Sequence, residues 1–219
     1  MEFKNVAVLT SRRSWFVPYA KELVDKMKLK RSSTKLFFSH ENISDKFEIV
    51  LILSYFTKIP DKYLKKHKHN LVIHESDLPE GKGWAILFWQ ILEGKNEIPV
   101  VVFDATEKID NGSIYVKDYI CLEGHELHDE IRKIQGEKTI ELCLEFLENY
   151  GSLKSYKQKG KSTFYRRRIP EDSKLDINKS IKSQFNLLRI VNNEEFPAFF
   201  EHQGHKYILK IFKDKSEQV

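Results

Sequence analysis

The residues best equipped for chemistry stand between Asn70 and Trp84. Asn70-Leu71-Val72-Ile73-His74 is a short, mostly apolar run ending in an imidazole, and a loop carrying Pro79, Gly81 and Gly83 follows it. Imidazole changes charge near neutral pH, so a histidine here can take up and release a proton during a reaction. In open α/β sheets ligands bind beyond the carboxyl ends of strands, which is where His74 falls. A lone histidine at a strand end is more often structural, so it needs a partner. Asp110 offers one, within Lys108-Ile109-Asp110-Asn111-Gly112-Ser113-Ile114-Tyr115. Taken alone, Asp-Asn-Gly is turn chemistry and gives Asp110 no catalytic role.

Other chemical groups are less specific. Ser11-Arg12-Arg13-Ser14 lies between the first strand and the first helix, where amides and arginines can hold an anion; solvated arginines explain the run equally well. His125 and His128, beside Glu126 and Asp129, suggest metal ligands, but this spacing near a helix start reads better as surface decoration. Cys121 and Cys143 are too far apart for a zinc or redox motif. Their apolar neighbours point to buried free thiols and a reducing compartment. The lysine-rich runs Lys26 to Arg31 and Lys65 to Lys68 read as solvated faces.

The elements that must position His74 and Asp110 follow from periodicity. Val6 to Thr10, Lys35 to Phe38, Ile49 to Leu53 and Leu71 to Ile73 are continuous apolar runs, as expected of strands buried on both faces. Ser14 is placed as the N-cap of a helix carrying Phe16, Tyr19, Ala20, Leu23 and Val24. A helix is expected from Trp84 to Leu92, stopping at Gly94. Strands are expected at Val100 to Phe103 and Ser113 to Leu122, then a helix from Glu126 to Tyr150. This alternation predicts an α/β fold with a doubly wound, mostly parallel sheet over residues 1–150. Residues 151–219 then form a linker, Gly151 to Ser162, and a C-terminal extension. That extension holds a helix from Asn178 to Val191 and a β-hairpin, Ala198-Phe199-Phe200 and Tyr207 to Ile211, about Gly204.

Composition sets bounds. With 219 residues and 41% hydrophobic content the chain can bury a substantial core. It has no apolar run of membrane-spanning length and no signal-peptide pattern, which points to the cytoplasm. Its net charge of +5, from 37 basic and 32 acidic residues, suits a small anionic ligand, and no long basic helix indicates nucleic acid.

Taken together, His74, Ser76, Leu78, Pro79, Gly83, Trp89, Gly94, Asp110, Gly112 and Ile114 resemble the pattern of the folate-dependent formyltransferases. That family carries Asn-x-His, Ser-Leu-Leu-Pro, a glycine, a helix with a tryptophan, and Asp-x-Gly-x-Ile. The resemblance runs from about Phe47 to Tyr150. The tail, Arg167-Arg168-Ile169-Pro170-Glu171-Asp172-Ser173, Asn186-Leu187-Leu188-Arg189 and Phe196-Pro197-Ala198-Phe199-Phe200, resembles the extension of sugar N-formyltransferases, which act on UDP- or dTDP-linked aminodeoxy sugars in surface glycan biosynthesis. The chain ends at Val219, leaving no room for the RNA-binding barrel of methionyl-tRNA formyltransferases.

The resemblance implies an N-formyltransferase using 10-formyltetrahydrofolate. His74 would be the general acid/base and Asp110 would orient its ring. Folate would lie along Tyr55, Phe56 and Thr57 and along Ala105, Thr106 and Lys108. Arg12, Arg13, Ser76, Lys82, Arg167 and Arg168 would bind the nucleotide-linked amino sugar. No metal is implied, and a homodimer through the C-terminal hairpin is expected. A transferase for another small amine, such as a ribonucleotide intermediate, and a weakened folate- or sugar-binding relative are the alternatives. One departure stands out: the family asparagine falls on Val72. Asn70 shares its face but lies roughly 6.6 Å further back along the strand.

Overall fold

The structure, a computed structural model, describes residues 5–29 and 33–214. Met1 to Lys4, and Lys30 and Arg31 of the first lysine-rich run, lie outside them. The elements in chain order are β1 (Asn5–Leu9), α1 (Val17–Leu29), β2 (Ser33–Phe37), β3 (Ile49–Ile52), α2 (Asp61–Leu64), β4 (His69–His74), β5 (Lys82–Gly83) and α3 (Ile86–Leu92). Then come β6 (Glu97–Asp104), β7 (Ile114–Cys121), α4 (His128–Asn149), β8 (Phe164–Tyr165), α5 (Phe185–Ile190), β9 (Ala198–His202) and β10 (His205–Leu209).

The central sheet has the order β2-β1-β3-β4-β6-β7. Its first four strands are parallel; β6 runs antiparallel to β4, and β7 reverses again to run with the rest. A doubly wound, mostly parallel sheet is therefore what the chain builds. Apolar residues occupy both faces because both are covered. Val6 and Val8 face Leu23, Val24, Ile140 and Phe146 of α1 and α4. Ala7 and Leu9 face the opposite way, toward Phe37, Val50, Ile52 and Leu64. On α1, Ala20, Leu23, Val24 and Met27 recur at helical spacing and are all buried. Full burial of each larger side chain contributes roughly 1.5–3 kcal/mol.

Strand β4 shows how this alternation sets the site. Leu71 joins the helix-side core, while Val72 packs on the other face, against Leu78, Val101, Phe103 and Ile114. His74, two residues on, shares that second face.

Several expected boundaries move. Helix α1 starts at Val17, not after Ser14; the Ser14 hydroxyl instead accepts the Phe16 N–H at 3.1 Å, in a turn before the helix. Trp84 stands outside α3, because Ala85 adopts a left-handed φ of 52° and Trp84 N–H is taken by the Tyr165 carbonyl. The helix expected from Asn178 shrinks to Phe185–Ile190, since Ser180 binds the Ser183 N–H and competes with helical pairing. The segment after α4 is not a free linker. Tyr156 exchanges two main-chain hydrogen bonds with Ile114, the first residue of β7. Cys143 is buried as expected and burial pushes its thiol pKa up, but Cys121 is exposed at the outer end of β7. In the hairpin Phe199 is buried at 4% exposure, while Phe200 stacks on Tyr207.

The tail is docked by charge. Arg189, 1% exposed, donates to Oε2 of Glu126 at 2.9 Å, to the Glu126 carbonyl at 3.1 Å and to Asn96 at 3.0 Å. Burial raises the pKa of Glu126, yet the amides of Glu123 and Gly124 and the nearby guanidinium outweigh it, so the carboxylate titrates below its ordinary range.

Candidate active site

His74 closes β4, 5% exposed, with its ring edge-on to Phe103. Its Nε2 lies 2.9 Å from the carbonyl of Gly81. A carbonyl can only accept, so Nε2 carries the hydrogen and Nδ1 is left as the basic nitrogen of the neutral ring. The following loop is fixed to the helices. The Glu75 carbonyl accepts the Gln90 amide at 2.6 Å, and its carboxylate accepts that of Gln135 at 2.5 Å.

Asp110 reaches the same loop from the other side. Its carboxylate accepts the Gly83 N–H at 3.1 Å, and its φ is 51°. The hydrogen bonds of His74 and Asp110 therefore go to the loop two residues apart, not to each other; the ring is oriented by Gly81 rather than, as expected, by Asp110. Between these ties lies Lys82, 4% exposed, with its ammonium donating to Asn111 at 3.2 Å. It pins the loop to the turn.

Two glycines make the close approach possible. A Cβ on Gly83 would run into the carbonyl of Tyr165, and one on Gly112 into the carbonyl of Asp104. No side chain fits at either position. The loop is further held by the tail: Gly81 N–H donates to the Thr163 hydroxyl at 2.8 Å, Lys82 N–H to the Thr163 carbonyl and Trp84 N–H to the Tyr165 carbonyl. Tyr165 also stacks on Trp89 and donates to Glu93 at 2.6 Å.

The other sequence-chosen residues divide. Tyr55 and Ala105 come together with Val72 at the edge of one apolar cluster, so the loops after β3 and β6 border the face that carries His74. Phe56 is half-exposed, its ring 6.1 Å from that of Trp84; Thr57, Thr106 and Lys108 are exposed. Ser76 is buried beside Gly81, and its hydroxyl has no partner among the described residues. Ser76, Gly81, Gln90, Thr163 and Tyr165 line a cavity of about 180 Å³. A larger one, about 390 Å³, lies at the strand ends of β1 and β2, lined by Arg12, Lys35, Phe38 and Ser39; Arg13 is exposed. Arg167 is exposed with its guanidinium over Trp84, whereas Arg168 turns inward to the carbonyls of Ile190 and Asp172.

Sequence reasoning missed one polar network. Asp104 accepts from Asn70 N–H at 3.0 Å and Tyr115 hydroxyl at 2.7 Å, and pairs with His69 Nδ1 at 3.0 Å. His69 Nε2 meets the Tyr150 hydroxyl at 2.7 Å. Asn70 is consumed structurally, its amide donating to the Leu64 carbonyl at 2.8 Å, so it is no substitute donor at the site. Among the described residues no cluster of three metal-ligating side chains exists, and no helix is long and apolar enough to cross a membrane.

Residues 7–140 match the family model described as formyl transferase. The methionyl-tRNA formyltransferase of Listeria monocytogenes (serotype 4a) is 27% identical over 165 residues, 73% of this chain and 51% of that protein. The chain thus spans about half the length of the curated relatives it matches. Among solved structures, a methionyl-tRNA formyltransferase from Clostridium thermocellum superposes with a TM-score of 0.79 at 20% identity, over 98% of this chain and 95% of that one. A 4-N formyltransferase from Francisella tularensis gives 0.71 at 16%, over 97% and 98%. HypX from Aquifex aeolicus in complex with tetrahydrofolic acid gives 0.79 at 19%, over 96% and 38%.

Proposed function

The chain belongs to the formyl transferase family, and on that premise we propose that it moves a formyl group from 10-formyltetrahydrofolate to the amine of a nucleotide-linked aminodeoxy sugar. The observation that carries the reading is the Gly81–Gly83 loop, where His74 and Asp110 are anchored two residues apart. The Gly81 carbonyl holds Nε2–H and leaves Nδ1 as the base. The acceptor amine attacks the formyl carbon to give a tetrahedral intermediate. Nδ1 takes the proton that the nitrogen sheds and returns one to the folate nitrogen as its bond to carbon breaks. The Asp110 carboxylate, bonded to the same loop at Gly83, favours the imidazolium that forms in between.

Folate fits the face between the loops after β3 and β6. Tyr55, Val72 and Ala105 give an apolar floor, and the exposed residues Thr57 and Thr106 flank it with polar groups. A flat, polar-edged heterocycle needs both. For the acceptor, exposed Arg12 and Arg13 and the Arg167 guanidinium offer charge for a diphosphate, and Lys82 and Ser76 lie in the loop itself. Arg168 serves the tail's own packing. In this reading the enzyme is cytoplasmic, serves surface glycan synthesis and pairs as a homodimer through β9 and β10, where Tyr207 and Ile208 are half-exposed.

Similarity to methionyl-tRNA formyltransferases favours a second reading, in which the acceptor amine is that of an aminoacyl-tRNA. One experiment decides. Formyl transfer from 10-formyltetrahydrofolate is measured with UDP- and dTDP-linked 4-amino-4,6-dideoxyhexoses and with methionyl-tRNA, using wild type and His74→Asn. Transfer to a sugar that vanishes in His74→Asn, with nucleotide-sugar affinity retained, is expected. Transfer to methionyl-tRNA alone establishes the second reading, and an active His74→Asn overturns the assignment of the base.

A further inference from the structure

Gln158 lies between α4 and β8, outside the residues that match the family model. Its Nε2 donates to the carbonyl of Asp110 at 3.2 Å and to that of Gly112 at 2.9 Å. Only the nitrogen of an amide donates, so two facing carbonyls fix which way the group is turned. Its own Oε1 is buried with no hydrogen-bond partner among the described residues. The side chain is thus committed to the turn even though its oxygen goes unmet.

We propose that Gln158 is a positioning residue for Asp110. This rests on the reading of Asp110 given above. Asp110 sits at φ 51°, a left-handed conformation that aspartate tolerates without preferring. Three ties that involve side chains hold the turn, beside the main-chain bond from Asp104 N–H to the Ser113 carbonyl: Gly83 N–H on the Asp110 carboxylate, Lys82 on the Asn111 side chain, and Gln158 on the flanking carbonyls. The first two tie the turn to the loop that follows His74. Gln158 supplies an outside reference. It lies two residues beyond Tyr156, which is itself paired with the start of β7. By bridging the carbonyls on both sides of Asn111, it fixes the two peptide planes and with them the direction of the Asp110 side chain.

The test joins a double-mutant cycle to hydrogen exchange. Gln158→Leu removes the donor; Gln158→Glu keeps the length but turns acceptors toward two carbonyls. Each lowers kcat by about 10²-fold, the scale of a small misplacement in an active site, with KM for both substrates unchanged. In an Asp110→Asn background the same substitutions cost nothing further, because the group they position is already gone. Equal losses in both backgrounds, or wild-type kcat in Gln158→Leu, overturn the proposal. Exchange gives a reading independent of activity. Amides of residues 110–113 exchange faster in Gln158→Leu while those of β4 and α4 do not change; unaltered exchange in the turn also overturns it. If the wild type transfers no formyl group to any acceptor, the functional reading falls and exchange alone judges Gln158.

Discussion

The carbonyl oxygen of Asp104 fills the space in which a side chain on Gly112 would begin. Neither partner can yield. Asp104 is fixed through Asn70, His69 and Tyr115, and its own N–H donates to the Ser113 carbonyl. Gly112→Ala therefore displaces the Asp110 turn, at about 1–3 kcal/mol for the overpacking. A lowered melting temperature with formyl transfer reduced in parallel is the expected result; an Ala variant as stable and as active as wild type contradicts the geometry.

Val72 stands where the sequence resemblance leads one to expect an asparagine, but its surroundings are apolar. Its cross-strand neighbour on β6 is Phe103, and Leu78, Val101 and Ile114 complete the cluster. Val72 is only partly buried, so Val72→Asn sets an amide against apolar neighbours at a cost of up to about 1–3 kcal/mol. Stability falls in a urea melt and single-turnover formylation shows no gain. A faster variant would show that the natural site lacks a donor for the developing oxyanion.

The Glu126–Arg189 pair gives the tail a pH-dependent anchor. Because the folded carboxylate titrates below its ordinary range, its stabilisation is fully present above the unfolded value and disappears as pH falls through the folded one. Glu126→Gln leaves a buried guanidinium without its counter-charge, at about 3–5 kcal/mol near neutrality. The gap between wild type and variant should close on acidification below about pH 4. A gap constant from pH 7 to pH 3 would mean that the charge contributes nothing.

Much of this was legible in the sequence, for identifiable reasons. The continuous apolar runs announce strands buried on both faces, and the glycines at 83 and 112 mark places where main chain approaches main chain. What escaped depends on partners distant along the chain. The reversal of β6 brings Asp104 beside His69, and Arg189 meets Glu126 across 63 residues; no local pattern encodes either. Cys121 was misread because apolar neighbours on an edge strand alternate between core and solvent. The contact between His74 and Gly81 was hidden because a carbonyl acceptor leaves no trace in residue type.

The strap from Thr163 to Tyr165 bears on when the site comes into being. During synthesis the Gly81 amide leaves the ribosome 82 residues ahead of the hydroxyl that receives it. Until then the amides of Gly81, Lys82 and Trp84 have only water to bond, and the loop that orients His74 is unsupported. All six strands of the central sheet precede the strap along the chain, so the scaffold can assemble before the loop is held. A nascent chain stopped at Tyr150 would have its core while the Gly81–Gly83 loop still lacked its strap.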